Sequence, residues 1–230
     1  RFIGGDRIGD ANQLSLAVTS RIINQETGDE NLRLTLGQIR YFDDRNVTLP
    51  NGTEDSEPDS DMIAEAVAFI NDEWSVSGEI QWDPGETQSN MSSVGLRYRG
   101  DEGGIFNISH RYRRDGADIT RLEGLEQVDI SAQMPVSARW QLFGRWYRSI
   151  DQGRTLEALA GVQYDSCCWA TRLAIRNYVN DAFDDDRNLA IYFQVELKGL
   201  GGSGGASDNI ADAIYGYDER ERRRFGNPRR

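Results

Sequence analysis

The chain has 230 residues, a formal net charge of −12, 38% apolar residues and a mean hydropathy of −0.64. No window approaches ~20 consecutive apolar residues, which excludes a helical membrane protein. Aromatic residues make up 10% of the chain, which argues against long disorder, and the acidic balance argues against a general nucleic-acid binder.

Apolar and polar residues alternate with period two along most of the chain, as in strands whose successive side chains face opposite sides of a sheet. In chain order this pattern predicts eleven strands, at about residues 12–24, 31–42, 61–71, 73–82, 90–99, 104–113, 126–134, 138–149, 154–165, 168–179 and 188–199. Two of them are less regular. Residues 61–71 also fit a short amphipathic helix, and residues 126–134 alternate only weakly.

The connections between the predicted strands alternate in length. The short ones are residues 71–73, 100–103, 135–137 and 166–167, with residues 25–30 somewhat longer. The long, acidic or glycine-rich ones are residues 43–60, 83–89, 114–125, 150–153 and 180–187. This alternation is typical of an up-and-down outer-membrane barrel, with short periplasmic turns and longer extracellular loops. A spanning strand needs ~9–11 residues, which the spacing allows.

Alternation alone also fits a soluble sheet that buries its apolar face. Two features favour lipid instead. Long charged side chains lie on the polar face, as in a water-filled lumen: Arg33, Glu79, Arg97, Arg99, Arg111, Arg113, Arg172, Arg176 and Glu196. Aromatic residues gather near strand ends, as in interfacial girdles: Tyr41, Phe42, Trp74, Trp82, Tyr98, Trp140, Trp146, Tyr147, Tyr164, Trp169 and Tyr178. The sequence therefore predicts an all-β fold, a segment of an antiparallel transmembrane β-barrel.

An odd number of antiparallel strands places the two ends of the sheet on opposite sides of the membrane, whereas single-chain bacterial barrels have even counts. With the short turns in the periplasm, the last strand ends in the periplasm. We therefore expect residues 1–200 to be the C-terminal portion of a larger barrel and residues 201–230 to be a flexible periplasmic tail.

The two cysteines, Cys167 and Cys168, are adjacent. Neighbouring cysteines rarely bridge each other, because the small ring strains a bond of specific geometry. Two interpretations remain: both thiols pack as small apolar residues, or each pairs with a cysteine outside this segment. An oxidising periplasm favours pairing. A metal site is disfavoured, because one cysteine pair and the distant His110 make no ligand set.

Three runs resemble one family of outer-membrane proteins, the lipopolysaccharide-assembly proteins LptD (OstA/Imp). Residues 156–170 read LEALAGVQYDSCCWA, residues 6–14 read DRIGDANQL, and residues 193–200 read FQVELKGL. The runs occur in the order of the family and span about residues 1–200. The cysteine run is the specific one, since alternating strands occur in many barrels.

The resemblance implies a larger protein, with an N-terminal periplasmic β-jellyroll domain and a C-terminal barrel of twenty-six strands, of which these would be the last eleven. It implies a place in the outer membrane of a Gram-negative bacterium. It also implies partners: an LptE-type lipoprotein plug in the lumen, lipopolysaccharide arriving over a periplasmic bridge through the N-terminal domain, and the barrel-assembly machinery during folding. Lipopolysaccharide would leave sideways, between the first and last barrel strands.

The resemblance also implies roles for particular residues. Cys167 and Cys168 match the family's C-terminal cysteine pair, which bonds to cysteines of the N-terminal domain. Residues 188–199 match the final strand, one side of the lateral seam. We expect its side chains to divide between lipid (Leu189, Ile191, Phe193, Val195 and Leu197) and the lumen (Tyr192, Gln194, Glu196 and Lys198).

We expect no enzyme, no cofactor and no resident metal. A Ser/His/Asp site would have to use His110, and a single histidine is more often structural. The acidic loop residues are of the type that binds Ca²⁺ or Mg²⁺, but solvated loops explain them more simply: Glu54, Asp55, Glu57, Asp59, Asp61, Asp181, Asp184, Asp185 and Asp186. The alternative function is a general porin or a receptor-type transporter, with the cysteines incidental.

Overall fold

The computed structural model describes residues 10, 12–47, 56–114, 124–180, 186–197 and 214–215. Eleven strands run through them: β1 (Gln13–Ile23), β2 (Glu30–Tyr41), β3 (Met62–Phe69), β4 (Trp74–Asp83), β5 (Gln88–Arg99), β6 (Ile105–Arg113), β7 (Leu125–Pro135), β8 (Trp140–Ser149), β9 (Arg154–Asp165), β10 (Trp169–Val179) and β11 (Arg187–Leu197). None of these residues belongs to a helix long and apolar enough to cross a membrane.

The eleven strands form one sheet in sequence order, from β1 to β11, and the registered pairs are antiparallel. The predicted all-β antiparallel fold of a barrel segment is therefore confirmed. Both irregular segments are strands: β3 pairs with β2 from Leu32↔Ala68 to Gly37↔Ile63, and β7 pairs with β8 from Gln127↔Ser149 to Pro135↔Gln141. The helical alternative for residues 61–71 is wrong.

One predicted connection differs from the structure. Residues 83–89 were expected to form a long loop, but β4 and β5 extend to Asp83 and Gln88 and leave a short turn, residues 84–87. The Asp83 carboxylate closes this turn, because Oδ1 accepts hydrogen bonds from the backbone N–H of Gly85 (2.8 Å) and of Glu86 (3.1 Å). An aspartate that bonds to the backbone two residues ahead is a common way to build a tight turn.

The chain divides into two compact units, Arg1–Phe69 with Ser77–Val94 and Arg111–Leu125, and Ile70–Val76 with Gly95–His110 and Glu126–Arg230. In the first unit, Asp61 joins β4 to β5: its Oδ2 accepts from Gln81 (2.6 Å) and from Asn90 (2.7 Å). Ahead of β1, the Asp10 carboxylate accepts the backbone N–H groups of Val47 (3.0 Å) and Asn46 (2.9 Å). These bonds favour the charged form and lower the pKa of Asp10 below its ordinary value.

The second unit contains β8 to β11, whose two faces differ in character. The apolar face, as we call it, carries exposed large side chains: Trp140, Leu142, Trp146, Trp169, Leu173, Ile175, Leu189, Ile191, Phe193, Val195 and Leu197. The opposite face, the polar face, carries buried Gln141, Glu157, Gln163 and Arg172. A soluble sheet buries its apolar side chains and exposes its charges, so this inverted arrangement indicates an apolar environment around the sheet.

Gly161 of β9 makes room for an aromatic ring on the polar face. A Cβ atom at this position would lie 2.3 Å from Cζ of Phe143 and 2.7 Å from the backbone oxygen of Leu173. We expect Gly161→Ala to lower the free energy of unfolding of the full-length protein by about 1–3 kcal/mol, the usual cost of overpacking. Urea unfolding in lipid vesicles, followed by tryptophan fluorescence, measures this cost.

The matched control is Gly78→Ala in β4, where the nearest atoms to the added Cβ lie 3.9 Å away. Since alanine suits a strand better than glycine, we expect this control to change the free energy by no more than about 1 kcal/mol, without destabilisation. Equal destabilisation by both substitutions would contradict the assigned packing of Phe143 over Gly161.

Candidate functional site

The final strand, β11, carries the predicted seam residues, and its side chains alternate as expected in exposure. Five apolar side chains are at least half exposed: Leu189, Ile191 and Phe193 at 68%, Leu197 at 52% and Val195 at 50%. Tyr192 and Gln194 lie on the other face, where Tyr192 packs against a buried cluster. Within the described ranges β11 pairs with β10 alone, in a continuous register from Trp169↔Leu197 to Val179↔Arg187.

A buried arginine of β10 ties β11 to its neighbours. Arg172 is only 3% exposed. Its Nε donates to Oε1 of Gln163 on β9 (3.0 Å), and its Nη1 lies 3.0 Å from Oε2 of Glu196 and 3.3 Å from Oε1 of Gln194. One guanidinium therefore connects three strands, which its planar set of five donors suits.

The hydrogen-bonded chain continues from Gln163 toward β7. Gln163 and Gln141 each donate through Nε2 to Oδ2 of Asp165 (both 3.0 Å), and Nε2 of Gln133 donates to Oε1 of Gln141 (2.7 Å). All three glutamines are almost fully buried. Buried amides of this kind are stable only when they are hydrogen-bonded. This series of side-chain hydrogen bonds therefore specifies the register of β7 to β11.

A second ionic group lies further along the polar face. Glu157 of β9 contacts Nη2 of Arg176 (2.9 Å) and Nη1 of Arg145 (3.7 Å), and Arg145 also pairs with Asp129 (2.5 Å). Glu157 is buried. The two arginines neutralise this carboxylate, as a buried charge requires.

Cys167 and Cys168 lie in the exposed turn between β9 and β10. Their Sγ atoms are 2.9 Å apart, beyond the ~2.05 Å of a disulfide bond. The turn is closed by the backbone N–H of Ser166, which donates to the carbonyl of Trp169 (2.9 Å). Three aromatic rings line its base: Tyr164 lies 4.9 Å from Trp140 and 5.3 Å from Trp169, centroid to centroid. Such a cluster suits the boundary between lipid and water.

The other candidate residues that the structure describes do not converge on a chemical site. His110 contacts Oε1 of Glu126 through Nε2 (3.0 Å). Asp59 pairs with Arg40 (2.5 Å), and Asp61 accepts the two amides described above. In the part of the chain that the structure describes, no three histidine, cysteine, aspartate or glutamate residues are grouped to hold a metal ion. Lys198 and five of the acidic loop residues lie outside the described residues: Glu54, Asp55, Asp181, Asp184 and Asp185.

Comparison with known proteins decides the family. A family model described as LptD, LPS transport system D, matches residues 1–140. The chain belongs to the LptD family. Residues 156–170 and 193–200, which carried much of the resemblance, lie outside that match but inside the matches to individual relatives, which cover 94–100% of the chain.

Three relatives of this LptD-family chain are each named LPS-assembly protein LptD. The protein of Nitrosococcus oceani is 44% identical over 95% of the chain, that of Marinobacter nauticus 43% over 100%, and that of Xanthomonas campestris pv. campestris 39% over 94%. The chain spans 29%, 28% and 28% of the length of these relatives, respectively. The chain is thus similar to a little over a quarter of each relative.

One solved structure, a NanC porin in a rhombohedral crystal form, aligns with 83% of the LptD-family chain and 97% of its own, at 13% identity and a TM-score of 0.36. This score is below the range in which two structures share a fold. The family assignment therefore rests on sequence.

The sequence of this LptD-family chain predicts β11, the cysteine turn and the polar-face position of Arg172, but not the hydrogen-bonded glutamines of β7 to β9. Gln133, Gln141 and Gln163 were not singled out, although each occupies a polar position of an alternating strand. Three glutamines at such positions in successive strands are the available signal. Ile214 and Tyr215, which contact the polar face, carried no periodic signal at all.

Proposed function

We propose that the chain forms part of the wall of an outer-membrane barrel that inserts lipopolysaccharide into the outer leaflet of a Gram-negative bacterium. One observation carries the proposal: in an LptD-family chain, apolar side chains are exposed along one face of the sheet while buried, ion-paired groups line the other. A lipid-facing wall around a polar lumen has this character.

The exit route runs between β11 and the first strand of the complete barrel. Every unsatisfied backbone group exposed to lipid costs several kcal/mol, so a barrel wall stays closed except where few hydrogen bonds join two strands. At such a seam, acyl chains pass into the membrane beside Ile191, Phe193 and Val195, while the sugars stay with Gln194 and Glu196 in the wet lumen. The route needs no covalent chemistry, which makes the protein a transporter and not an enzyme.

The cysteine turn has a separate role in this proposal. Cys167 and Cys168 form disulfides with cysteines of an N-terminal periplasmic domain, through which lipopolysaccharide arrives from a periplasmic bridge. The exposed position of both thiols supports this role, since a partner domain has access to them. An LptE-type lipoprotein occupies the lumen, and the barrel-assembly machinery folds the wall around it.

The redox state of the full-length protein tests this proposal. We expect the protein from cell envelopes to migrate differently on a gel with and without reductant, because long-range disulfides alter the shape of the denatured chain. The double variant Cys167→Ser/Cys168→Ser is expected to lose these bonds, whereas each single variant keeps one of them.

Mass spectrometry of the unreduced protein identifies the partner of each cysteine. Peptides that join Cys167 or Cys168 to an upstream domain support the transport role. The alternative, a porin or receptor-type transporter with incidental cysteines, predicts thiols that react with maleimide without reduction, together with ion conductance in planar bilayers. That result would overturn the proposal.

A further inference from the structure

One residue of the C-terminal segment is buried on the polar face of β8 to β10. Ile214 has no exposed surface and belongs to a cluster with Phe143, Leu159 and Ala174, which also includes Ile105 of β6. These strand residues share the face that carries Arg172 and Glu157, so the cluster is an apolar patch within a polar surface. Complete burial of an isoleucine side chain among apolar neighbours indicates close packing of Ile214 against these strands.

The next residue, Tyr215, adds polar contacts. The backbone oxygen of Tyr215 accepts a hydrogen bond from Nδ2 of Asn107 (3.2 Å), and the guanidinium of Arg97 lies 4.0 Å from the centroid of its ring. Arginine over a tyrosine ring is a favourable cation–π pair. Asn107 also donates to Oγ of Ser131 (3.1 Å), so the amide that holds Tyr215 is itself held.

The buried cluster reaches the final strand. Tyr192 of β11 packs against it, and Ala174 is the register partner of Tyr192 on β10. Tyr192 therefore packs against the cluster that contains Ile214. Its neighbours in the chain, Ile191 and Phe193, are exposed on the apolar face. Through this cluster, Ile214 is connected to the strand that forms one side of the proposed seam.

We propose that residues 214–215 are a docking segment, which binds β5 and β6 through Tyr215 and the polar face of β8 to β10 through Ile214, and which holds β11 in place through Tyr192. Docking itself does not depend on what the barrel transports. That a held β11 restrains opening of the seam rests on the proposed function.

Photo-crosslinking in the full-length protein tests the docking. A benzophenone amino acid is introduced at Tyr192 in one variant and at Phe193 in another, adjacent positions whose side chains face opposite sides of the sheet. We expect ultraviolet light to link position 192 to the peptide that contains residues 214–215, and position 193 to give no such link. Mass spectrometry after digestion identifies the linked peptides.

Substitutions in the segment give a second readout. In the position-192 variant, Ile214→Asp is expected to reduce the link at least tenfold, because a carboxylate has no polar partner in the cluster, whereas Ile214→Leu keeps it. Equal linking from both positions, no link from 192, or no effect of Ile214→Asp would overturn the proposal. The link does not require lipopolysaccharide delivery. If the cysteines react with maleimide without reduction and the barrel conducts ions, the proposed function fails, and a link from position 192 to residues 214–215 still leaves the docking standing.

Discussion

Locking β11 to the first strand of the complete barrel is expected to stop delivery of lipopolysaccharide to the cell surface. The lock is a cysteine pair, with Val195→Cys on β11 and a cysteine at the facing position of the first strand. Val195 is suited to it because it lies on the exposed apolar face, near the end of a strand whose described partner is β10 alone. Pulse-labelling of new lipopolysaccharide at the surface measures delivery.

The physical reason is that a covalent bond removes sideways opening without changing the lumen. The matched control is Ile175→Cys/Ile191→Cys, which joins register partners of β10 and β11 on the same face. Directly opposite positions of an antiparallel pair lie within reach of a disulfide. We expect this control to form its bond and leave delivery intact. Full delivery through a locked seam would exclude the lateral route.

Replacing Arg172 with methionine is expected to lower the free energy of unfolding by about 3 kcal/mol, since removing one partner of a buried ion pair leaves the other charge uncompensated. Methionine retains much of the apolar stem but none of the donors to Gln163, Gln194 and Glu196. Urea unfolding of the full-length protein in vesicles measures the change, and β11 is expected to lose protection from hydrogen exchange first.

Arg21→Met is the control on an exposed pair. Arg21 lies 3.5 Å from Glu30 with its own side chain 57% exposed, so we expect a loss of no more than about 1 kcal/mol. Adding Glu196→Gln to Arg172→Met is expected to recover part of the stability, because the orphaned charge is gone. If Arg172→Met costs no more than Arg21→Met, the guanidinium does not hold β11.

The strands were predictable because their alternation is a local property of the chain. All eleven were found, and the division of β11 into exposed Leu189, Ile191 and Phe193 against Tyr192 and Gln194 follows directly from period two. The short turn after Asp83 was missed, because acidic and glycine residues also describe long loops. What distinguishes the short turn is that the Asp83 carboxylate accepts a hydrogen bond from the backbone N–H two residues ahead, a contact that composition does not reveal.

The contacts of the site were less predictable, because they depend on register between strands. Arg172 was assigned to the polar face, but its position opposite Gln163 on one side and Gln194 on the other is set by two pairings. The seam and disulfide roles came from family resemblance and stay predictions. The tail, residues 201–230, was expected to be flexible; most of it lies outside the described residues, and Ile214 has a buried position.

Because the two faces of the sheet differ in character, insertions and deletions within a strand are more costly than those in the connections. A single-residue insertion within a strand exchanges the faces beyond it and turns arginines such as Arg145, Arg172 or Arg176 toward lipid, at about 2–4 kcal/mol each near the bilayer centre. Insertions in connections have no such cost. The alignment with the Marinobacter nauticus relative is 237 residues long against a chain of 230, so lengths have changed within the family. We expect those changes to fall between strands, or to add residues in pairs.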